Sequence, residues 1–186
     1  MAGLRPADPE PVVEALDASA YAAAIPDLAD LLVDAVDGGA GVNFMAGLAA
    51  AEAAAWWAER GRQVADGTIT PFVVRDRSNG RIVGSTLLIR MRNPNAPHRA
   101  EIAKVLVHRS VRRRGLGRAL MAAAEVHARA DGRWLLVLDT FSGSEAETLY
   151  RTTGWQELGT LPNHSYHPDG ALGSAVYFWK DLRDAT

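Results

Sequence analysis

The sequence predicts an α/β fold of the α+β kind, a mixed sheet in which an antiparallel meander precedes a parallel β-α-β unit. Three observations carry this. Two Ala-rich helical stretches come first, short runs of β-branched and apolar residues follow, and the last third alternates strand, helix, strand, helix, strand. With 186 residues and an apolar fraction of 48%, the chain fits one domain with a full core over 1–186, and two independent domains would be a squeeze.

Residues 1–11, with Pro6, Pro9 and Pro11, read as a flexible lead-in. A short strand fits Val12–Leu16. Ser19 can cap a first helix running to about Val36 and interrupted by Pro26, and Asp37-Gly38-Gly39 stops it. A second helix is predicted from Gly47 to Ala65, with high Ala propensity and with Trp56 and Trp57 as bulk to bury. Thr70–Arg75 and Ile82–Met91 flank the turn signal Ser78-Asn79-Gly80 and predict a hairpin. After the breaker 93–97, a third strand spans Arg99 to Val107. A helix follows from Leu116 to Arg129, with Leu116, Leu120, Ala123 and Val126 at helical spacing. Trp134–Leu138 is a continuous apolar run, the pattern of a strand buried on both faces. A helix over Ser144–Thr152 and a closing strand over Val176–Trp179 complete the chain.

Composition narrows the partners. A net charge of −2 argues for neither nucleic acid nor an anionic membrane. Positive charge gathers locally in Arg109, Arg112, Arg113, Arg114 and Arg118, which suits a small polyanion. The absence of cysteine excludes disulfides, thiolate metal sites and a cysteine acyl-enzyme. The opening residues lack the apolar run of a secretory signal, and Glu52, Glu59 and Arg60 break the Ala-rich stretch, so the expectation is a cytoplasmic protein.

The segment after Val107 holds Arg112, Arg113, Arg114, Gly115, Leu116, Gly117 and Arg118. Glycines at the junction of loop and helix allow close backbone approach, the free amides of a helix start bind anions, and arginine adds bidentate phosphate geometry. The alternative is a helix start with solvated arginines. A dinucleotide fingerprint lacks its third glycine here, and a P-loop lacks its Gly-Lys-Ser/Thr.

In that context the segment resembles motif A of the GNAT superfamily of N-acetyltransferases, R/Q-x-x-G-x-G/A between a strand and a helix, through Arg112, Gly115 and Gly117. Ala146, Leu149, Tyr150, Gly154 and Trp155 are similar to that superfamily's A-x-x-L-Y-x-x-x-G-F/W stretch. The strings 38–48, 99–107, 114–121, 138–140 and 168–170 are similar, in order and spacing, to the tabtoxin-resistance branch. The resemblance implies a GNAT-like sheet splayed between its central strands, with acetyl-CoA in the gap as cosubstrate. It also implies backbone contact of Val105, Leu106 and Val107 with pantetheine, and amides from Arg113 to Arg118 on the pyrophosphate. One departure stands out: many members carry Asn seven residues before the tyrosine, where this chain has Gly143, with Ser142 and Ser144 as possible substitutes.

The activity so implied is N-acetylation of a small amine by direct attack in a ternary complex, with a toxin or antibiotic of amino-acid type, in a resistance role, as the acceptor the resemblance suggests. An aminoglycoside, polyamine or protein N-terminus as acceptor, or a non-catalytic acyl-CoA-binding module, are the alternatives. Tyr150 is the candidate general acid, since a phenol of pKa ~10 matches a thiolate whose conjugate acid lies near ~8.5. The competing reading is a core tyrosine bonding a carbonyl. Glu101 and Asp139 are the candidate bases. Glu101 shares a strand face with Ala103, Val105 and Val107, and burial of Asp139 would raise its pKa. A solvated strand residue and a loop cap are the alternatives for the two. Lys104, placed on the opposite face, and His108 receive no role. Phe44 and His167 are candidate acceptor contacts in the loops 38–44 and 163–170. His164 and His167 are too weak a pair for a metal, and none is expected. The protein is expected to act as a monomer or homodimer.

Overall fold

Asp17, not Ser19, caps the first helix: its carboxylate accepts from the Ala20 amide at 2.8 Å and starts α1 (Ala18–Asp37). The computed structural model describes residues 11–183, so the lead-in expected over 1–11 lies, except for Pro11, outside the described residues. The predicted second helix is two, α2 (Ala50–Ala58) and α3 (Gly61–Ala65). It cannot begin at Gly47, whose φ of 85° is left-handed. It breaks because the Arg60 guanidinium folds back, stacks 3.3 Å over the Trp56 ring and donates to the Trp56 carbonyl. The Arg60 amide bonds Trp57 instead, one residue short of the helical partner.

The strands are β1 (Val13–Ala15), β2 (Ile69–Arg75), β3 (Ile82–Arg90), β4 (Arg99–Val107), β5 (Leu135–Phe141), β6 (Gln156–Tyr166) and β7 (Leu172–Asp181). They form one sheet in the order β1-β2-β3-β4-β5-β7-β6. Every neighbouring pair is antiparallel except β4 with β5, the pair joined through α4 (Leu116–Ala130). The meander and the parallel β-α-β unit are as the sequence predicts.

α1, α2 and α3 cover one face of the sheet, around Leu28, Leu32, Trp57, Val73 and Leu87. α4 and α5 (Glu145–Thr152) cover the other, around Leu88, Leu120, Leu136, Tyr150 and Phe178. Each large apolar side chain so enclosed stabilises the fold by roughly 1.5–3 kcal/mol. β5 departs from its expected burial on both faces. Leu136 and Leu138 are buried toward α4, while Leu135 and Val137 are half-buried, because α1 packs over β3 and β4 and stops short of β5. The uncovered face of β5 is the floor of a groove.

β4 and β5 pair only at Arg99–Leu135, Ala100–Leu136 and Glu101–Val137. Beyond Glu101 the two strands part, and the β5-facing edge of β4 is left without strand partners to Val107. β4 also carries a bulge. Its register against β3 shifts between Ser85 and Leu87, and Lys104 takes a φ of 52°.

Candidate active site

The 107–118 segment closes one side of the β4–β5 gap. A 3-10 turn, Arg109–Val111, is capped by His108, whose ring nitrogen accepts from the Ser110 amide at 3.2 Å. Arg109 is taken up by Asp34, to which its amide and its Nε donate at 3.0 and 2.9 Å. Arg112 is likewise engaged: its Nε donates to the Val107 carbonyl at 3.3 Å and its guanidinium stands 3.6 Å from Glu145. These two arginines hold the loop in place. Arg113, Arg114 and Arg118 are exposed.

Gly115, with φ 78°, is the N-cap of α4 and makes no side-chain cap. The first helical amides therefore keep their donors free at an exposed helix start. Gly117 lies close against α5: a Cβ there would stand 3.1 Å from the Leu149 side chain, which would have to give way. Free amides, a left-handed glycine and exposed arginines at the mouth of the gap fit the phosphate groups of coenzyme A. Ser144, considered as a substitute for the missing asparagine, is committed to capping α5, where it accepts from the Glu147 amide at 3.1 Å. Gly143 donates to Glu147 at 2.6 Å.

The titratable groups gather where the strands part. Glu101 is half-buried, and burial, reinforced by the Asp139 charge, raises its pKa above the ordinary carboxylate range. Asp139 is exposed, contrary to the expectation that burial tunes it, because β5 has already diverged from β4 at that point. Tyr150 is buried against Trp155 and Phe178, and burial, followed by the Asp139 charge, pushes its pKa well above that of a free phenol. It makes no carbonyl hydrogen bond among the described residues, so the core-tyrosine alternative lacks its bond.

Lys104 corrects the sequence reading outright. The bulge breaks the period of two, so Lys104 does not sit opposite Glu101 but reaches the same groove. Its Nζ donates to the Val42 carbonyl at 3.1 Å and lies 4.9 Å from the Trp56 ring centre. Val105 and Val107 pack on the α4 side, with Ala103 on the other, so the four-residue face expected for Glu101 is divided. Tyr177 is a further group the sequence reading passed over. It lies directly across from Asp139 in the β5–β7 register, and its hydroxyl bonds His164 at 3.0 Å.

The chain just beyond the 38–44 loop reaches the 163–170 loop. The Ala46 amide donates to the Pro168 carbonyl at 2.9 Å, clipping 38–48 to the β6–β7 turn. His167 stacks on Phe141 with ring centres 3.9 Å apart. This stack fits only between glycines: a Cβ at Gly41 would fall 1.6 Å from the Phe141 ring, and one at Gly173 would fall 2.5 Å from His167. Phe44 packs edge-on against Trp56 at 5.8 Å. Residues 163–166, expected as loop, are the end of β6.

The acetyltransferase (GNAT) family model matches residues 45–155. Among solved structures, an N-acetyltransferase from Staphylococcus aureus Mu50 is similar at 21% identity and a TM-score of 0.74, over 94% of this chain and 99% of that one. A ribosomal-protein-alanine N-acetyltransferase from Brucella melitensis is 22% identical with a TM-score of 0.71, over 91% and 99%. A GNAT superfamily phosphinothricin acetyltransferase from Sinorhizobium meliloti, solved with acetyl-CoA, is 17% identical with a TM-score of 0.76, over 92% and 88%.

Proposed function

The chain belongs to the acetyltransferase (GNAT) family, and on that premise we propose that it moves an acetyl group from acetyl-CoA to the amine of a small acceptor by direct attack. The observation that carries the reading is the parting of β4 from β5 beyond Glu101, with the glycine-arginine loop on one side and the Glu101–Asp139 pair beside the opening. Acetyl-CoA supplies an activated acetyl thioester. The β4 edge from Val105 to Val107 would align its pantetheine arm, and the amides from Arg113 to Arg118 would hold its pyrophosphate.

Glu101 and Asp139 take the proton that the acceptor nitrogen loses as its bond to the acetyl carbon forms. Burial makes Glu101 a stronger base than a solvated carboxylate. Tyr150 donates its proton to the departing sulfur: burial keeps that phenol protonated, and because its raised pKa makes it a weaker acid than a free phenol, the transfer depends on the basicity of the thiolate. The clip between the two pocket loops favours a small amine over a polypeptide tail. The resemblance to the tabtoxin-resistance branch suggests an amino-acid-type toxin or antibiotic and a resistance role.

The test is an acetyl-CoA consumption screen over amines, β-lactam amino acids included, run beside thermal denaturation with acetyl-CoA. Protection by acetyl-CoA together with turnover of at least one small amine is expected. No protection, or turnover of protein N-termini alone, would sink the reading.

A further inference from the structure

Lys104 is in an unusual place for a cation. It stands at a bulge with a left-handed backbone, half-buried, and its stem reaches across the groove to the α1–α2 connection. Its ammonium donates to the Val42 carbonyl at 3.1 Å and faces the Trp56 ring at 4.9 Å. A β-branched residue would not tolerate that backbone, and a surface lysine would have no reason to adopt it. The strain is retained at a functional cleft, where such strain commonly aims a side chain.

The charges around it come from every element lining the groove. Glu101 lies on its own strand and Asp139 on β5; Arg60 follows α2 and, like Lys104, packs on the Trp56 ring. Tyr177 of β7 senses both carboxylates and shares a hydrogen bond with His164 of β6, and Tyr150 of α5 senses Asp139. The charges of Glu101 and Asp139 both act on Lys104 through space, with no direct ion pair between them among the described residues. Burial and the neighbouring Arg60 charge push the lysine down to about 8, while the carboxylates hold it up. Below that pH it is a charged partner for the pair.

We propose that Lys104 is a positioning residue of the acyl-transfer site, counterbalancing the Glu101–Asp139 pair while pinning the 38–48 loop over the groove through Val42. The inference rests on the acetyltransferase reading of the groove for its functional meaning. Without Lys104 the two carboxylates repel without that counter-charge, and Glu101 holds its proton to higher pH than in the parent. The loop above them also loses its one tether to β4 that the described hydrogen bonds show.

The experiment compares the full chain with Lys104→Met and Lys104→Arg. Side-chain carboxyl carbons of Glu101 and Asp139, assigned with Glu101→Gln and Asp139→Asn, are titrated by NMR without substrate. Amide exchange over 42–48 is measured on the same samples. In Lys104→Met the Glu101 midpoint should rise by about one pH unit, and Lys104→Arg should restore it. Loop exchange should quicken about fivefold to tenfold in the methionine variant. With an acceptor in hand, the acid limb of kcat/KM should move with the Glu101 midpoint, and thermal protection by acetyl-CoA should stay as in the parent.

Carboxyl midpoints unmoved in a folded Lys104→Met would overturn the proposal. So would loss of acetyl-CoA protection in both variants, which would make Lys104 a general packing residue. The titration needs no turnover, so a parent protein inactive on every amine would defeat the acetyltransferase reading and still leave Lys104 decided.

Discussion

The 107–118 segment and the loops at 38–48 and 163–171 flank the same gap, yet they are made differently. The first is mostly backbone: Gly115 in the left-handed region, free amides at the start of α4, and Gly117 set close against Leu149. The second is mostly side chain, with Phe141 stacked on His167, Phe44 on Trp56 and Lys104 on Val42. A backbone device serves any ligand with the same phosphates. A side-chain device is shaped to one acceptor, and its parts come from distant stretches of the chain.

That contrast can be attacked from the acceptor side first. Removing both carboxylates with Glu101→Gln and Asp139→Asn should lower kcat/KM by about 10³-fold, with acetyl-CoA affinity unchanged by calorimetry. If one single variant matches the double, that residue alone is the base. Tyr150→Phe comes next, with kcat expected to fall about 10²-fold at an unchanged KM for acetyl-CoA. A variant as fast as the parent would remove Tyr150 from the mechanism.

The donor side should respond in binding alone. Arg113→Ala with Arg118→Ala should weaken acetyl-CoA about tenfold and flatten its salt dependence, while saturated turnover persists. Gly41→Ala reverses that pattern. Its methyl would displace the Phe141 ring at a cost of about 1–3 kcal/mol, seen as a lower Tm, and would raise the acceptor KM but not the donor Kd.

The smallest effect is one of stability. Glu101 holds its proton more tightly folded than unfolded, so its contribution is favourable at low pH and is lost as pH rises through its folded pKa. Glu101→Gln should therefore be slightly more stable than the parent at pH 7, with the difference closing as pH falls through the carboxylate range. Equal denaturation midpoints at both ends of that range would contradict the buried-charge account.

The same contrast explains what the sequence made legible. Helix and strand periods, the Ser-Asn-Gly turn and the glycine-arginine loop are local signals, and the meander, α4 and α5 stand where they were expected. β6 was missed because nearly all of its residues are exposed, which leaves no alternation to detect, and its run contains Gly159 and Pro162. The break after α2 was missed because Glu59 and Arg60 are good helix formers, and only the return of Arg60 onto Trp56 separates α2 from α3. The face of Lys104 was misjudged because nothing in a lysine announces a bulge. Glu101, Asp139 and Tyr150 become candidates through resemblance and strand position, whereas Tyr177 becomes one only through the β5–β7 register.

The stack of Phe141 and His167 between Gly41 and Gly173 constrains how such a protein can change. Two of the four residues bring rings and two bring only the space for them, and they come from four separated positions in the chain. A substitution at either glycine must displace the ring beside it, and a smaller ring leaves a hole until a glycine is filled. Variation at this corner must therefore come in pairs. A foreign 38–48 loop that lacks glycine at position 41 will fit best when residue 141 changes with it.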